Sequence, residues 1–332
     1  MPALLTRPPE PPFVAARFGD NGRTERRVLS AVGRSSLDAA IACTAVFLLV
    51  RAVPGDLAAM VLGEQADAAA RAALQHRLGL DTNLFVQYAH FWKRLLSLDW
   101  GTSLAKPSVP VQSRLVAALG PTMRLALCAV AMAAAWGVPL GMYGARHQGR
   151  ARSTFARAIA ACLASVPLLA TAPVLLYLFC VKWQWVPLPG DSDSRLQGLL
   201  FASGLLALPL GAHVARAVYS NLLELRRGPC LRVARAKGAS LRRMWLVHAL
   251  PLTAGVVLTL IGAQLGAILG GAMVVERLFE RRGLGTLILE SYRARDVVVL
   301  EAAVVTSSLF FVGTQTLFHV LFLWIDPRAA RT

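Results

Sequence analysis

Acidic residues are the scarce charged class in this chain: 18 Asp and Glu stand against 35 Lys and Arg, for a formal net charge of +17. Such a balance can mark a nucleic-acid binder. Here, however, the basic excess clusters in short segments between apolar runs, which is the positive-inside pattern of a membrane protein, and no nucleic-acid partner is expected. Cysteine is also sparse. Cys43, Cys128, Cys162 and Cys180 lie in or at the edge of apolar runs and Cys230 in a basic loop, with no metal or redox spacing, so they read as small apolar side chains. The chain has no G-x-x-x-x-G-K-[ST], so it cannot cradle a nucleotide in the usual way. It also has no H-E-x-x-H, no G-x-S-x-G and no pair of carboxylates in adjacent apolar runs. A membrane-embedded hydrolase is therefore poorly supported, and the chain is not expected to be an enzyme.

What is abundant is apolar sequence, 56% of the 332 residues. Several runs reach the roughly twenty residues that cross a bilayer. Residues 1–28 form a tail rich in proline and arginine, expected to be extended and disordered. It lacks the short basic region running straight into an apolar core that a cleaved signal peptide would need. A first membrane helix is expected over 29–53, stopped by Pro54-Gly55, with Arg51 placed to snorkel at its end. A mostly soluble segment follows over 54–120, in which Trp92 and Trp100 read as interfacial anchors or local core in preference to ligand contacts.

Further spans are expected over Thr122–Tyr143, Ile159–Val181, Leu199–Val218, Pro251–Val275 and Ala302–Ile325. Pro167 and Pro173 interrupt the second of these, as prolines do in membrane helices without implying a binding site. Arg146, Arg150, Arg152 and Arg157 follow the first of them with no acidic residue among them, an inside signal. The run 251–275 carries Gly255, Gly262, Gly266, Gly270 and Gly271, a spacing that lets helix backbones approach closely. Ionisable residues near or inside spans are candidate pathway or gate groups. Here they are His213, for which a helix-to-helix hydrogen bond is the favoured alternative, and Glu276, for which a local cap or a pair with Arg281 or Arg282 is favoured. Arg216 reads as a snorkelling residue near the end of its span.

Between the runs ending near 218 and starting at 251 lies the stretch around which the chain is organised. Arg226 to Lys237 is rich in helix formers, Gly238 suits a left-handed turn, and Ser240 is placed to cap a second helix starting at Leu241. Leu241, Trp245 and His248 then share one face, and Pro251 opens the next apolar run. The pattern is helix, glycine turn, helix, presented at a membrane surface. A basic loop merely obeying topology rules is the plainer alternative.

Arg232-Val233-Ala234-Arg235-Ala236-Lys237-Gly238, followed by His248-Ala249-Leu250 and Pro251, resembles the coupling loop of ABC importer permeases of the dipeptide, oligopeptide and nickel family. Val233 stands where that family has Thr, and Pro229-Cys230 replaces its usual polar pair. Further blocks of the family are matched by Arg51-Ala52-Val53-Pro54-Gly55-Asp56, Leu78-Gly79-Leu80-Asp81, Asp99-Trp100-Gly101-Thr102-Ser103-Leu104, the run from Gly270 to Gly285, and Asp326-Pro327-Arg328. The resemblance spans about residues 40–328. It implies an all-α integral membrane fold of six transmembrane helices, with an extracytoplasmic insertion between the first two and a permease domain over 121–328. The coupling loop, 221–250, would be cytoplasmic. There Arg232, Ala234, Arg235, Ala236, Lys237, Gly238, His248 and Pro251 would dock a cytosolic ATPase. ATP and Mg would sit on that partner, leaving this chain without a cofactor or metal. The implied assembly holds a second homologous permease, two ABC ATPases and an extracytoplasmic solute-binding protein. It would stand in a bacterial inner membrane, with both termini of this multi-pass chain cytoplasmic. A self-contained secondary transporter or channel would need charged relays or broken helices in matched halves, and His213 with Arg216 is all the sequence offers for it.

Overall fold

The computed structural model describes residues 21–52, 62, 67–165, 167–190, 195–228, 231, 233, 236–238, 240 and 243–325. The proline cluster of the tail, Pro54-Gly55-Asp56, Pro229-Cys230 and Asp326-Pro327-Arg328 fall outside the described residues. Helix α1 runs Asn21–Ala52, 32 residues. At about 1.5 Å per residue that is roughly 48 Å, more than the ~30 Å apolar core of a bilayer. It begins inside the stretch read as an extended tail. Thr24 to Leu29 contains good helix formers and no proline, so nothing stops the backbone there. The arginines decide where the helix meets the apolar layer, not where it starts.

The soluble segment folds into two short helices, α2 (Ala68–Leu78) and α3 (Leu84–Ser97). Gly79 closes α2 at φ +66°, its N–H reaching back to Gln75 and His76. The Asn83 side chain caps α3 by accepting from the Phe85 amide. Helix α4 (Val111–Arg146) is 36 residues long and passes straight through Pro121 and Pro139. The boundary expected at 120 therefore falls inside a helix. Trp100 and Trp92 belong to local core, in the cluster that joins Phe47 of α1, Phe91 and Leu95 of α3, and Val111 and Leu115 of α4.

The third apolar run is broken. Helix α5 (Ala151–Ser165) and helix α6 (Leu168–Leu176), the latter extended by a π-helical stretch to Lys182, meet at 96° around Pro167. Pro167 lacks the N–H that would continue the α5 ladder, and the residue before a proline is pushed out of the helical region. The remaining helices are α7 (Arg195–Arg227), α8 (Leu250–Leu278), α9 (Leu284–Arg293) and α10 (Val297–Ile325). A π-helical turn, Met244–Ala249, leads into α8. The Leu250 N–H reaches the Trp245 carbonyl, five residues back. This widening sits immediately before Pro251, whose ring would crowd the carbonyl four residues earlier in a regular α-turn.

Four helices are long and apolar enough to cross a membrane (Arg26–Ala52, Val111–Arg146, Leu196–Arg227 and Val297–Leu323), and the bent pair makes a fifth. Helix α8 has 29 residues, of which Leu252–Gln264 stands as a shorter apolar stretch among the described residues. The expected sixth crossing rests on α8.

The longest helix interface is α4 against α7. Gly137 and Gly141 lie on α4 directly against the α7 backbone. A Cβ at Gly141 would sit 2.5 Å from the Ala215 carbonyl oxygen, and one at Gly137 2.5 Å from that of Gly211. Ala133, Gly137 and Gly141 form a buried stripe of small residues there. Of the α8 glycines read as close-packing, Gly262 approaches α10, with a Cβ there 3.1 Å from Phe318 Cβ, while the surroundings of Gly266, Gly270 and Gly271 lie outside the described residues.

Candidate functional site

The basic stretch between α7 and α8 has a buried back and an exposed front. Leu231, Met244 and Trp245 are 3%, 7% and 7% exposed. They pack with Ala145 of α4, Val214, Val218 and Leu222 of α7, and Ile261 of α8. On the other side Val233, Ala236, Lys237, Gly238, Ser240 and Arg243 are exposed. The Lys237 amide donates to the Val233 carbonyl at 3.0 Å, completing a helical turn. Gly238 follows at φ +76°, the left-handed turn read from the sequence. Ser240 then starts the second helical piece. Its carbonyl accepts from Met244 N at 2.9 Å and its hydroxyl from Arg243 N at 3.4 Å. Arg232, Ala234 and Arg235 lie outside the described residues, as do the side chains of His248 and Pro251. Sequence reasoning found Trp245 on the buried face and missed Leu231 and Met244. Their signal was present as isolated apolar residues in a basic run, too few to set a period.

At the opposite end of the bundle three polar clusters tie distant segments together. Arg51, at the end of α1, pairs with Glu301 of α10 at 2.8 Å. Its Nε donates to Gln87 of α3 at 3.0 Å, and its guanidinium lies 3.6 Å over the Phe47 ring. Gln87 in turn donates to the Leu80 and Thr82 carbonyls, so the turn between α2 and α3 hangs from α1. Asp296 is buried at the start of α10. It accepts from the Ser103 hydroxyl and from Leu104 N at 3.2 Å, and Arg114 of α4 stands 3.5 Å away. It also accepts from Val299 N at 3.3 Å, capping α10. One carboxylate thereby holds a helix start and the loop before α4.

Glu276 forms the third cluster, and it is 0% exposed. Thr122 of α4 donates to it at 2.5 Å, and Thr286 N of α9 at 3.1 Å. The Leu284 amide donates to the Thr122 oxygen at 2.8 Å. The first amides of α9, which no helical carbonyl reaches, are thus taken up by Glu276 and Thr122, and a carboxylate is favoured at that end of a helix. Gly285 is required by the same arrangement, since a Cβ there would lie 2.5 Å from Met273 Cα and 3.0 Å from the carboxylate. Within this chain Glu276 is buried and bonded locally. Glu276 acts as a local cap, with Thr122 and the α9 amides as its hydrogen-bond partners and the Arg281 charge close by. Burial pulls the Arg281 guanidinium below its ordinary value, while the nearby Glu276 charge opposes that shift. Glu276→Ala leaves the Thr286 amide buried without a partner, at about 1–3 kcal/mol, and the Thr122 hydroxyl with only the Ala118 carbonyl to donate to. Thermal unfolding in detergent is expected to show a midpoint lowered by roughly 5–10 °C, with Glu276→Gln recovering about half. An unchanged midpoint for the alanine variant would remove the cap from the account.

His213 sits half-buried on α7 between buried Ala212 and Val214. Among the described residues its ring makes no helix-to-helix hydrogen bond. Arg216, one turn on, is exposed near the end of the span, as a snorkelling residue would be. Among the described residues no three His, Cys, Asp or Glu side chains gather as a metal site would require.

A bundle of apolar helices whose one end is stapled by buried carboxylates, and whose other end presents a basic turn bolted on from behind, is an integral membrane component built to be touched by other proteins. The chain belongs to the family of binding-protein-dependent transport system inner membrane components, whose model matches residues 137–331, with the family's N-terminal model matching residues 26–111. It is similar to the glutathione transport system permease protein GsiC of Salmonella typhimurium, 33% identical over 287 residues that cover 86% of this chain and 93% of that protein. The proteins of the same name from Pectobacterium atrosepticum (33% over 282 residues, 85% and 91% covered) and Escherichia coli (32% over 282 residues, 85% and 91% covered) are similar to the same degree. These place it among ABC importer permeases of the dipeptide, oligopeptide and nickel type, and its function is that of a permease subunit.

Proposed function

We propose that this chain forms half of a translocation pathway and hands mechanical work to it through the exposed turn Ala236-Lys237-Gly238. The second half is a related permease. Two cytosolic ATPases grip the turns of the two chains, and an extracytoplasmic binding protein delivers solute to the end that carries α2 and α3. Both termini are cytoplasmic. Glutathione, which the similar permeases are named for transporting, is the first solute to try.

The observation that carries this reading is the two-sided build of the loop. A turn exposed on its front and anchored through Leu231, Met244 and Trp245 to three membrane helices transmits a push as a rigid body. Closure of the ATPases would draw the two turns together and rock the bundles against each other, opening access to alternate sides. ATP hydrolysis resides in the partners, and this chain contributes no catalytic group or cofactor. The test is co-expression with the neighbouring transport genes and purification in mild detergent, reading ATPase activity with and without Gly238→Asp. Activity that co-purifies with the wild-type chain and is lost from the variant supports the reading. A chain that purifies alone and moves solute without nucleotide overturns it, and His213 then becomes the group to probe.

A further inference from the structure

Between Asp99 and Asp191 the sequence contains no acidic residue, and this acid-free stretch builds two walls of a cleft of about 540 Å³ between α4, α5 and α7. The third wall, α7, carries a single acid, Glu224, which does not line the cleft. Two guanidiniums, Arg157 and Arg216, do line it. Neither has an ion pair among the described residues. Arg157 is held in place by the face of Tyr219, 5.3 Å from ring centroid to guanidinium carbon. Thr154 lines the same space. Two cations, one of them held against an aromatic face, line one cavity, and no acidic residue is among its lining.

Position says where the anion comes from. The cleft lies in the last turns of α4 and the first turns of α5, beside Arg146, Arg150 and Arg152, where the helices leave the apolar layer. Its floor is made of small apolar residues, Gly141, Gly144, Ala156 and Ala160, all buried. A phosphate placed at the two arginines would therefore have these small apolar residues beside it, a surface against which glycerol and the first carbons of an acyl chain can pack. We infer that this cleft is a binding site for the phosphodiester headgroup of an anionic phospholipid. The inference goes beyond the import reading and does not depend on it, since it requires only that the helices span a bilayer. Basic pockets between membrane helices recognise such headgroups by charge, each Arg near the surface adding on the order of five-fold in affinity.

The experiment is native mass spectrometry of the full chain, delipidated and then titrated with phosphatidylglycerol or with phosphatidylcholine of the same acyl chains. One phosphatidylglycerol is expected to be retained with an affinity on the order of 30-fold above phosphatidylcholine, two arginines each contributing about five-fold. Arg157→Ala with Arg216→Ala should abolish the preference, while Arg152→Ala, outside the cleft, should leave it intact. Both lie on exposed positions, and size-exclusion profiles matching wild type show that the variants are folded. Equal retention of the two lipids by the wild-type chain, or an undiminished preference in the double variant, overturns the site. Displacement by water-soluble glycerol phosphate at the same concentration as the lipid would assign the cleft to a free phosphate, and loss of the lipid on assembly with the other transporter subunits would assign it to a subunit interface. Either result also overturns the lipid site.

Discussion

Gly238→Asp is expected to abolish uptake while leaving this chain in the membrane at its normal level. The two halves of that result have separate physical grounds. Nothing among the described residues lies within 4 Å of where a Cβ at position 238 would stand, so the fold has room there for a larger side chain. The φ of +76° does disfavour side chains, but Asp and Asn are the residues that tolerate the left-handed region best. The variant's own stability should therefore fall by no more than about 1–2 kcal/mol. Any larger loss must come from a partner that presses against the turn. A carboxylate buried without a counter-charge in such an interface costs about 3–5 kcal/mol, a weakening of 100-fold or more. Gly238→Asn separates the causes. If Asn restores uptake, the loss came from charge; if it does not, the groove admits no side chain at all. Normal transport and normal ATPase retention by the Asp variant would mean that the exposed turn is not where the motor grips.

The same loop shows how far the sequence can be read. Its turn and its caps were legible because they are local events. A basic helix ending in glycine needs a left-handed residue there, and a serine two places on takes the next amide. Trp245 was legible as a buried residue because it falls on a helical period with its neighbours. The clusters at the other end were not legible in this way. Arg51 meets Glu301 across 250 residues and Glu276 meets Thr122 across 154, and a polar pair formed by tertiary packing leaves no period in either segment. Ser103 was visible only as one letter of a block, and no local pattern singled out Asp296. The structure supplies the reason for both, because together they fasten the loop before α4 to the start of α10. The start of α1 was misplaced for a different reason. Composition reports where a helix becomes too charged for lipid, and the backbone continues past that point wherever no proline intervenes.

Gly141→Val is the second change with a large expected effect, and it acts on the bundle itself. The Cβ it introduces would lie 2.5 Å from the Ala215 carbonyl oxygen and 2.8 Å from Val218 Cβ. Two of those neighbours are parts of α7 that cannot swing aside, so the helices must separate. Overpacking in a fitted core costs about 1–3 kcal/mol. The cost here should reach the upper end or beyond, because separation also empties the contacts around Gly137 and Gly211. It should also travel. Val218 and Leu222 of α7 pack on Met244 and Trp245, the residues that hold the exposed turn from behind. Displacing α7 therefore loosens the loop's anchor, and transport should fall further than stability alone accounts for. Gly313→Ala is the control, a helical glycine with nothing within 4 Å of the added carbon. On helix propensity alone that change should be neutral or stabilise by about 1 kcal/mol. Thermal midpoints and proteolysis near Lys237, measured on both variants, decide the matter. A Gly141→Val chain with a wild-type midpoint and an uncut loop would show that α4 and α7 do not transmit position to the turn, and the loop would then have to be held by α8 alone.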